Sequence, residues 1–124
     1  VLNLILGSSS ATLASRIAGF NPSSGSGFSE LSSPNAIALA SDGTVYVADT
    51  GNYRVMKFTP NEPVGSVVAG GRGNGATLDK LGTSYGLALD SQGFIYVSEY
   101  GNHRITKWTN ATNGTIVSIF FIEE

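Results

Sequence analysis

The sequence predicts an all-β chain made of four-stranded antiparallel propeller blades, too few to close a ring. Three observations predict it. The stretch from Leu31 to Pro60, LSSPNAIALASDGTVYVADTGNYRVMKFTP, is written again from Leu81 to Asn110 as LGTSYGLALDSQGFIYVSEYGNHRITKWTN, fifty residues on and without a gap. Within each copy, short runs of β-branched, aromatic and aliphatic residues alternate with turns that carry glycine. Each copy holds room for four such runs, and four antiparallel strands per repeat of roughly 20–50 residues describe a propeller blade.

Taken in order, Val1 to Leu6 (VLNLIL) reads as a strand, Gly-Ser-Ser-Ser as a turn, and Thr12 to Ala18 as a second strand ending at Gly19. The sequence SRIAG at Ser15 to Gly19 echoes SVVAG at Ser66 to Gly70, at a spacing of 51. Residues 1–19 are therefore expected to be the C-terminal half of a preceding blade. Residues 20–33, rich in Gly and Ser, form a surface connection, and Pro34 fixes the start of the next strand. The first full blade is expected over 34–70. Its strands are Ala36 to Ala40, Thr44 to Asp49, Arg54 to Thr59 and Gly65 to Ala69, with turns at Ser41-Asp42-Gly43 and Thr50-Gly51-Asn52. Strand alternation puts Val45 and Val47 on one face and Tyr46 and Ala48 on the other. Residues 71–83 are the inter-blade loop. A second blade follows over 84–122, with strands near Tyr85 to Asp90, Phe94 to Glu99, His103 to Thr109 and Thr115 to Phe121.

The segments Gly86-Leu-Ala-Leu-Asp90, Gly93-Phe-Ile-Tyr-Val97 and Gly101-Asn-His-Arg-Ile105 resemble the NHL repeat, whose signature tripeptide here reads Asn102-His103-Arg104. Asp42-Gly43, Tyr46-Val47-Ala48-Asp49 and Gly51-Asn52-Tyr53-Arg54 match it in the first copy. The resemblance implies a β-propeller whose top surface or channel binds proteins, RNA or small ligands. Some members of the family are enzymes, including peptide-amidating lyases whose metal is held by several histidines. His103 is the only histidine of this chain, with Tyr53 in the equivalent place, so that ligand set has no counterpart here.

Composition narrows the function further. Hydrophobic residues make up 41% and charged residues only 13%, with a net charge of -2, so no basic surface awaits nucleic acid or an anionic membrane. With no cysteine, disulfides and thiolate chemistry are excluded. No apolar run approaches the roughly 18–20 residues of a membrane span. Gly70-Gly-Arg-Gly-Asn-Gly75 lacks the Lys-Ser/Thr ending of a phosphate loop, and no serine sits in a nucleophile elbow. The chain is thus expected to be no enzyme and to hold no cofactor.

The residues singled out are of three kinds. Asp49 with Arg54, and Glu99 with Arg104, are expected to pair across the tight turn between strands. In that turn Gly51 and Gly101 are expected at positive φ, and Asn52 and Asn102 to accept backbone amides. Asn110-Ala-Thr112 and Asn113-Gly-Thr115 are N-glycosylation acceptors, Asn110 and Asn113 lying in the last hairpin. With the low charge and absent initiator Met, they point to a secreted, extracellular protein or an excised piece of a longer one.

Two blades and a half leave an apolar face open at each end. Leu2, Leu4 and Leu6 at one end and Ile116, Ile119 and Phe121 at the other are suited to strand addition. The expected partner is another copy of the chain, joined head-to-tail into a ring or filament. The alternative is a fragment of a larger propeller that binds proteins or a ligand.

Overall fold

The computed structural model describes residues 15–119. Eight strands form two four-stranded antiparallel sheets, each in the order of the chain. The first sheet contains β1 (Pro34–Leu39), β2 (Val45–Asp49), β3 (Arg54–Phe58) and β4 (Ser66–Gly70). The second contains β5 (Ser84–Leu89), β6 (Ile95–Glu99), β7 (Arg104–Trp108) and β8 (Gly114–Ile119). The only helical pieces among the described residues are two 3-10 turns, Thr50–Asn52 and Tyr100–Asn102.

The sequence repeat is a repeat of register. Tyr46 pairs with Lys57 as Tyr96 pairs with Lys107, and Asp49 pairs with Arg54 as Glu99 pairs with Arg104. The ladder irregularities recur too, between Pro34 and Ala36 and between Ser84 and Gly86. Each first hairpin closes on a glycine in left-handed backbone, Gly43 (φ 92°) and Gly93 (φ 82°). Strand limits fall within one or two residues of the expected ones.

Period-two alternation gives each blade two apolar faces. From the first blade, Tyr46, Val55 and Ala69 face the second blade, where they meet Ile95, Val97 and Trp108, with Leu81 of the connection closing the cluster. Ala38, Ala40, Leu87 and Leu89 pack at its margin. The seam is closest along the inner strands, where β1 and β2 meet β5. The other face of the first blade holds Val47, Met56 and Phe58, against which Ala18 and Leu31 pack.

Ala18 and Leu31 there stand where Ala69 and Leu81 stand in the seam. Gly19 and Gly70 share a φ of 68°, and a Cβ on either would lie 3.1 or 3.0 Å from the following leucine, Leu31 or Leu81. The echo between SRIAG and SVVAG is thus a likeness of position as well as of letters. Ser15–Ala18, the described part of the expected strand from Thr12, carries no ladder among the described residues, and Val1 to Leu6 lies outside them.

Trp108 is 1% exposed and is the largest side chain in the seam. Trp108→Ala is expected to lower the unfolding free energy by about 3–5 kcal/mol, measured as a shift in the urea midpoint.

Candidate functional site

The hairpin turn between the second and third strand of each blade gathers the charged residues, and it does so below the surface. Arg54 Nε lies 2.6 Å from Asp49 Oδ2, with the side chains 5% and 0% exposed. The rest of the guanidinium turns away from the hairpin. Nη1 donates to the Ser26 carbonyl at 2.9 Å, and Nη2 to the carbonyls of Gly27 and Glu30 at 2.9 and 3.1 Å. Asp49 Oδ1 accepts the Ser32 N–H. Asn52 Nδ2 bridges the Gly25 carbonyl and Asp49 Oδ2 at 2.8 and 2.9 Å. Three side chains thereby clamp residues 25–32, the polar connection that precedes the blade.

The second blade builds the same clamp at the same offsets. Arg104 Nε reaches Glu99 Oε1 at 3.1 Å, Nη1 the Ala76 carbonyl at 2.7 Å and Nη2 the Lys80 carbonyl at 3.4 Å. Asn102 Nδ2 donates to the Gly75 carbonyl and to Glu99 Oε1, and the Gly82 N–H donates to the same carboxylate. Glu99 is one methylene longer than Asp49, and its second oxygen accepts the Thr106 hydroxyl at 2.6 Å. Thr106 in turn accepts the Trp108 indole N–H at 2.8 Å. Where the first blade has Met56 and Phe58, the second has this polar relay. No buried side-chain N or O among the described residues lacks a partner.

Two expectations about this turn are corrected. Gly51 and Gly101 do not take positive φ; Tyr53 (φ 52°) and His103 (φ 53°) do. The glycines are required by close approach, because a Cβ on Gly51 would lie 2.8 Å from the Ser32 carbonyl oxygen and one on Gly101 3.0 Å from the Thr83 nitrogen. Asn52 and Asn102 do not accept backbone amides but donate to carbonyls. The reason is common to both: the turn is a 3-10 turn pressed against the preceding connection, not a free hairpin tip. The carbonyls it grips belong to the backbone, so no residue type announces them. The only trace in sequence is the constant spacing between clamp and connection.

The open faces repeat the buried ones. Ile37, Leu39, Val45 and Val47 of the first blade correspond to Leu87, Leu89, Ile95 and Val97, and with Ile17, Ala18 and Leu31 they line a groove of about 680 Å3. Ile37 and Leu39 are 68% and 69% exposed. On the second blade, alternation turns Tyr96, Ser98, Ile105 and Lys107 away from the seam, at the positions of Tyr46, Ala48, Val55 and Lys57. Lys107 Nζ sits 5.0 Å from the Phe94 ring centroid and 3.9 Å from Asp90 Oδ2. Partial burial opposes the charge of Asp90, but the N–H groups of Phe94 and Gln92, the Tyr96 hydroxyl and Lys107 outweigh it and hold the carboxyl below its ordinary range.

The remaining marked residues are dispersed. Asn110 and Asn113 are exposed between β7 and β8, and Asn110 Oδ1 accepts the N–H and hydroxyl of Thr112 at 3.0 and 3.1 Å. Ile116 is 40% exposed on β8, and Ile119 ends that strand opposite Arg104. Leu2, Leu4, Leu6 and Phe121 lie outside the described residues. No group of three His, Asp or Glu side chains with metal-ligand spacing occurs among the described residues. In comparison with known families, the model described as NHL repeat matches residues 31–58 and 86–108, one match per blade.

Arg54→Ala removes the cation and leaves the Asp49 carboxylate buried without it, at an expected cost of about 3–5 kcal/mol. Proteolysis should then fall first in residues 20–33, whose carbonyls lose their donors, and limited digestion followed by peptide mapping checks this.

Proposed function

Because the chain carries two NHL repeats, one in each of two adjoining blades, we propose that it is a non-enzymatic structural or adhesive module of the extracellular space. It works by joining copies of itself head-to-tail through blade faces, into a ring or a filament. The observation that carries the reading is the duplication of the seam. The face of the second blade that looks outward occupies the positions of the face already buried between the blades, and the groove face of the first blade occupies those of its partner. Surfaces of this kind gain roughly 25 cal/mol per Å2 of apolar area removed from water. Since the two faces differ, contact between them is heterologous, and such contacts close into rings or run on as fibres. NHL repeats serve in general as binding or structural modules, which agrees with a role made of contacts.

A second reading is favoured by Ala18, Gly19 and Leu31, which lie as the end of a preceding blade would. In that reading the open faces are covered by further blades of one longer propeller, and the module binds a protein or ligand within it. The native subunit separates the two. A mass near 12.9 kDa plus glycan, with rings or filaments in negative-stain images, supports self-association. A much heavier subunit supports the larger propeller, and a 12.9 kDa species that sediments as a monomer at micromolar concentration defeats the self-association reading.

The extracellular assignment rests on the low charge and on the exposed sequons at Asn110 and Asn113. Peptide N-glycosidase treatment of native material is expected to lower its mass and to convert a sequon asparagine to aspartate. Native protein with no such change would remove the support that the sequons give.

A further inference from the structure

The chain contains two Asn-Gly pairs, Asn74-Gly75 and Asn113-Gly114. In such a pair the asparagine side-chain amide is open to attack by the next main-chain nitrogen, because glycine has no Cβ in the way and the most permissive backbone. That nitrogen attacks only once it gives up its proton, and a carbonyl that holds the proton opposes the step. The fold treats the two pairs differently. Gly114 begins β8 and is buried, its N–H lies 2.6 Å from the Leu78 carbonyl oxygen, and a Cβ on it would meet the Trp108 ring at 2.8 Å. Gly75 is half-buried, and its N–H reaches the Leu81 carbonyl oxygen at 3.3 Å, beyond the usual range of about 2.7–3.2 Å. Asn74 itself is exposed, and a Cβ on Gly73 before it would meet nothing within 4 Å. Gly75 therefore offers the freer nucleophile, beside open space.

The position of this pair gives the reaction a consequence. Asn102 Nδ2 donates to the Gly75 carbonyl at 2.8 Å, and Arg104 Nη1 to the Ala76 carbonyl at 2.7 Å. Asn74 thus stands immediately before the two carbonyls that the second clamp grips. In the first blade the equivalent carbonyls belong to Gly25 and Ser26, and the residue fifty before Asn74 is Ser24, which has no amide to lose. Of the two clamped connections, only the second carries an Asn-Gly pair.

We propose that Asn74 is a site of spontaneous modification whose conversion releases the second clamp. The Gly75 nitrogen, its proton passed to solvent base, bonds to Asn74 Cγ; the Cγ–Nδ2 bond breaks and ammonia leaves, closing a five-membered imide. Water then opens the imide at either carbonyl. Opening at Cγ gives aspartate with the original chain path, whereas opening at the main-chain carbon gives isoaspartate, in which the chain runs through Cβ and is one carbon longer. The sum is one water taken up and one ammonia released, with no other reactant. The added carbon lies directly before Gly75 and Ala76, so their carbonyls move off Asn102 and Arg104. The first clamp is untouched, and the connection between β4 and β5 is the part that loosens.

The test ages the full chain, made in a host that adds no glycan, in mildly alkaline buffer, once folded and once in denaturant. Peptide mapping by mass spectrometry follows amide loss at each asparagine, and enzymatic isoaspartyl methylation counts the lengthened product. In denaturant the two pairs are expected to convert alike. In the folded chain Asn74 is expected to convert at least about tenfold faster than Asn113, the factor by which one ordinary hydrogen bond slows a step that must break it. Limited digestion of the aged protein should then cut first within residues 71–83, with a lowered thermal midpoint. Asn74→Ser, the residue of the first blade, should age without either change. Fresh Asn74→Asp, which has the charge but not the extra carbon, should digest like fresh wild type. Equal rates at the two pairs in the folded chain, or an Asn74 that stays intact while the denatured chain converts, overturns the site. Isoaspartyl protein that digests like fresh protein overturns the release of the clamp.

Discussion

A guanidinium sealed under a polar connection is the constraint on which each blade depends. Residues 20–33 are rich in serine and residues 71–83 in glycine, and apart from Leu31 and Leu81 few of their side chains pack on the blades. Their carbonyls nonetheless lie against the blade, and backbone groups withdrawn from water need donors. Arg54 and Arg104 supply several at once in the fixed fork that a guanidinium offers. A buried cation requires an anion, which Asp49 and Glu99 provide from the facing strand, and the asparagine of the turn ties carboxylate and connection together. Removing any one member leaves a buried group unpaired, so the cluster behaves as a unit.

The consequence for architecture is that each blade is anchored to what comes before it. The Arg54 clamp holds the connection that leads from residues 15–19 into β1, and the Arg104 clamp holds the one that leads from β4 into β5. Apolar packing then joins blade to blade along the inner strands. These two kinds of attachment differ in what they tolerate. The clamp is directional and keeps the same offsets in both blades, whereas apolar packing is a matter of volume and shape, and at the equivalent packing positions the copies diverge: Met56 and Phe58 in one, Thr106 and Trp108 in the other. Thr106 is admissible only because Glu99 is long enough to accept its hydroxyl.

The two blades present faces that correspond position by position because both are written from one repeat. Asn110 and Asn113 lie in the connection beyond β7, whose Ala111 and Thr112 share a surface pocket with Ser26, Asn52 and Arg54 of the first clamp.

The sequence by itself determined the eight strands of the two sheets, their order and the turn positions, because a fifty-residue repeat and a period of two are local properties of the letters. It also determined which charges pair, since Asp49 and Arg54 must face each other if the turn between them is tight. Only the tertiary structure decided what that pair is for. Its further partners are carbonyls 24 to 28 residues upstream, and a carbonyl is the same in every residue. The same contact moved the left-handed backbone from Gly51 to Tyr53 and turned Asn52 from acceptor to donor. Which half of an apolar face remains open, likewise, depends on Ala18 and Leu31 arriving from outside the blade, and distance along the chain conceals that from any reading of the letters alone.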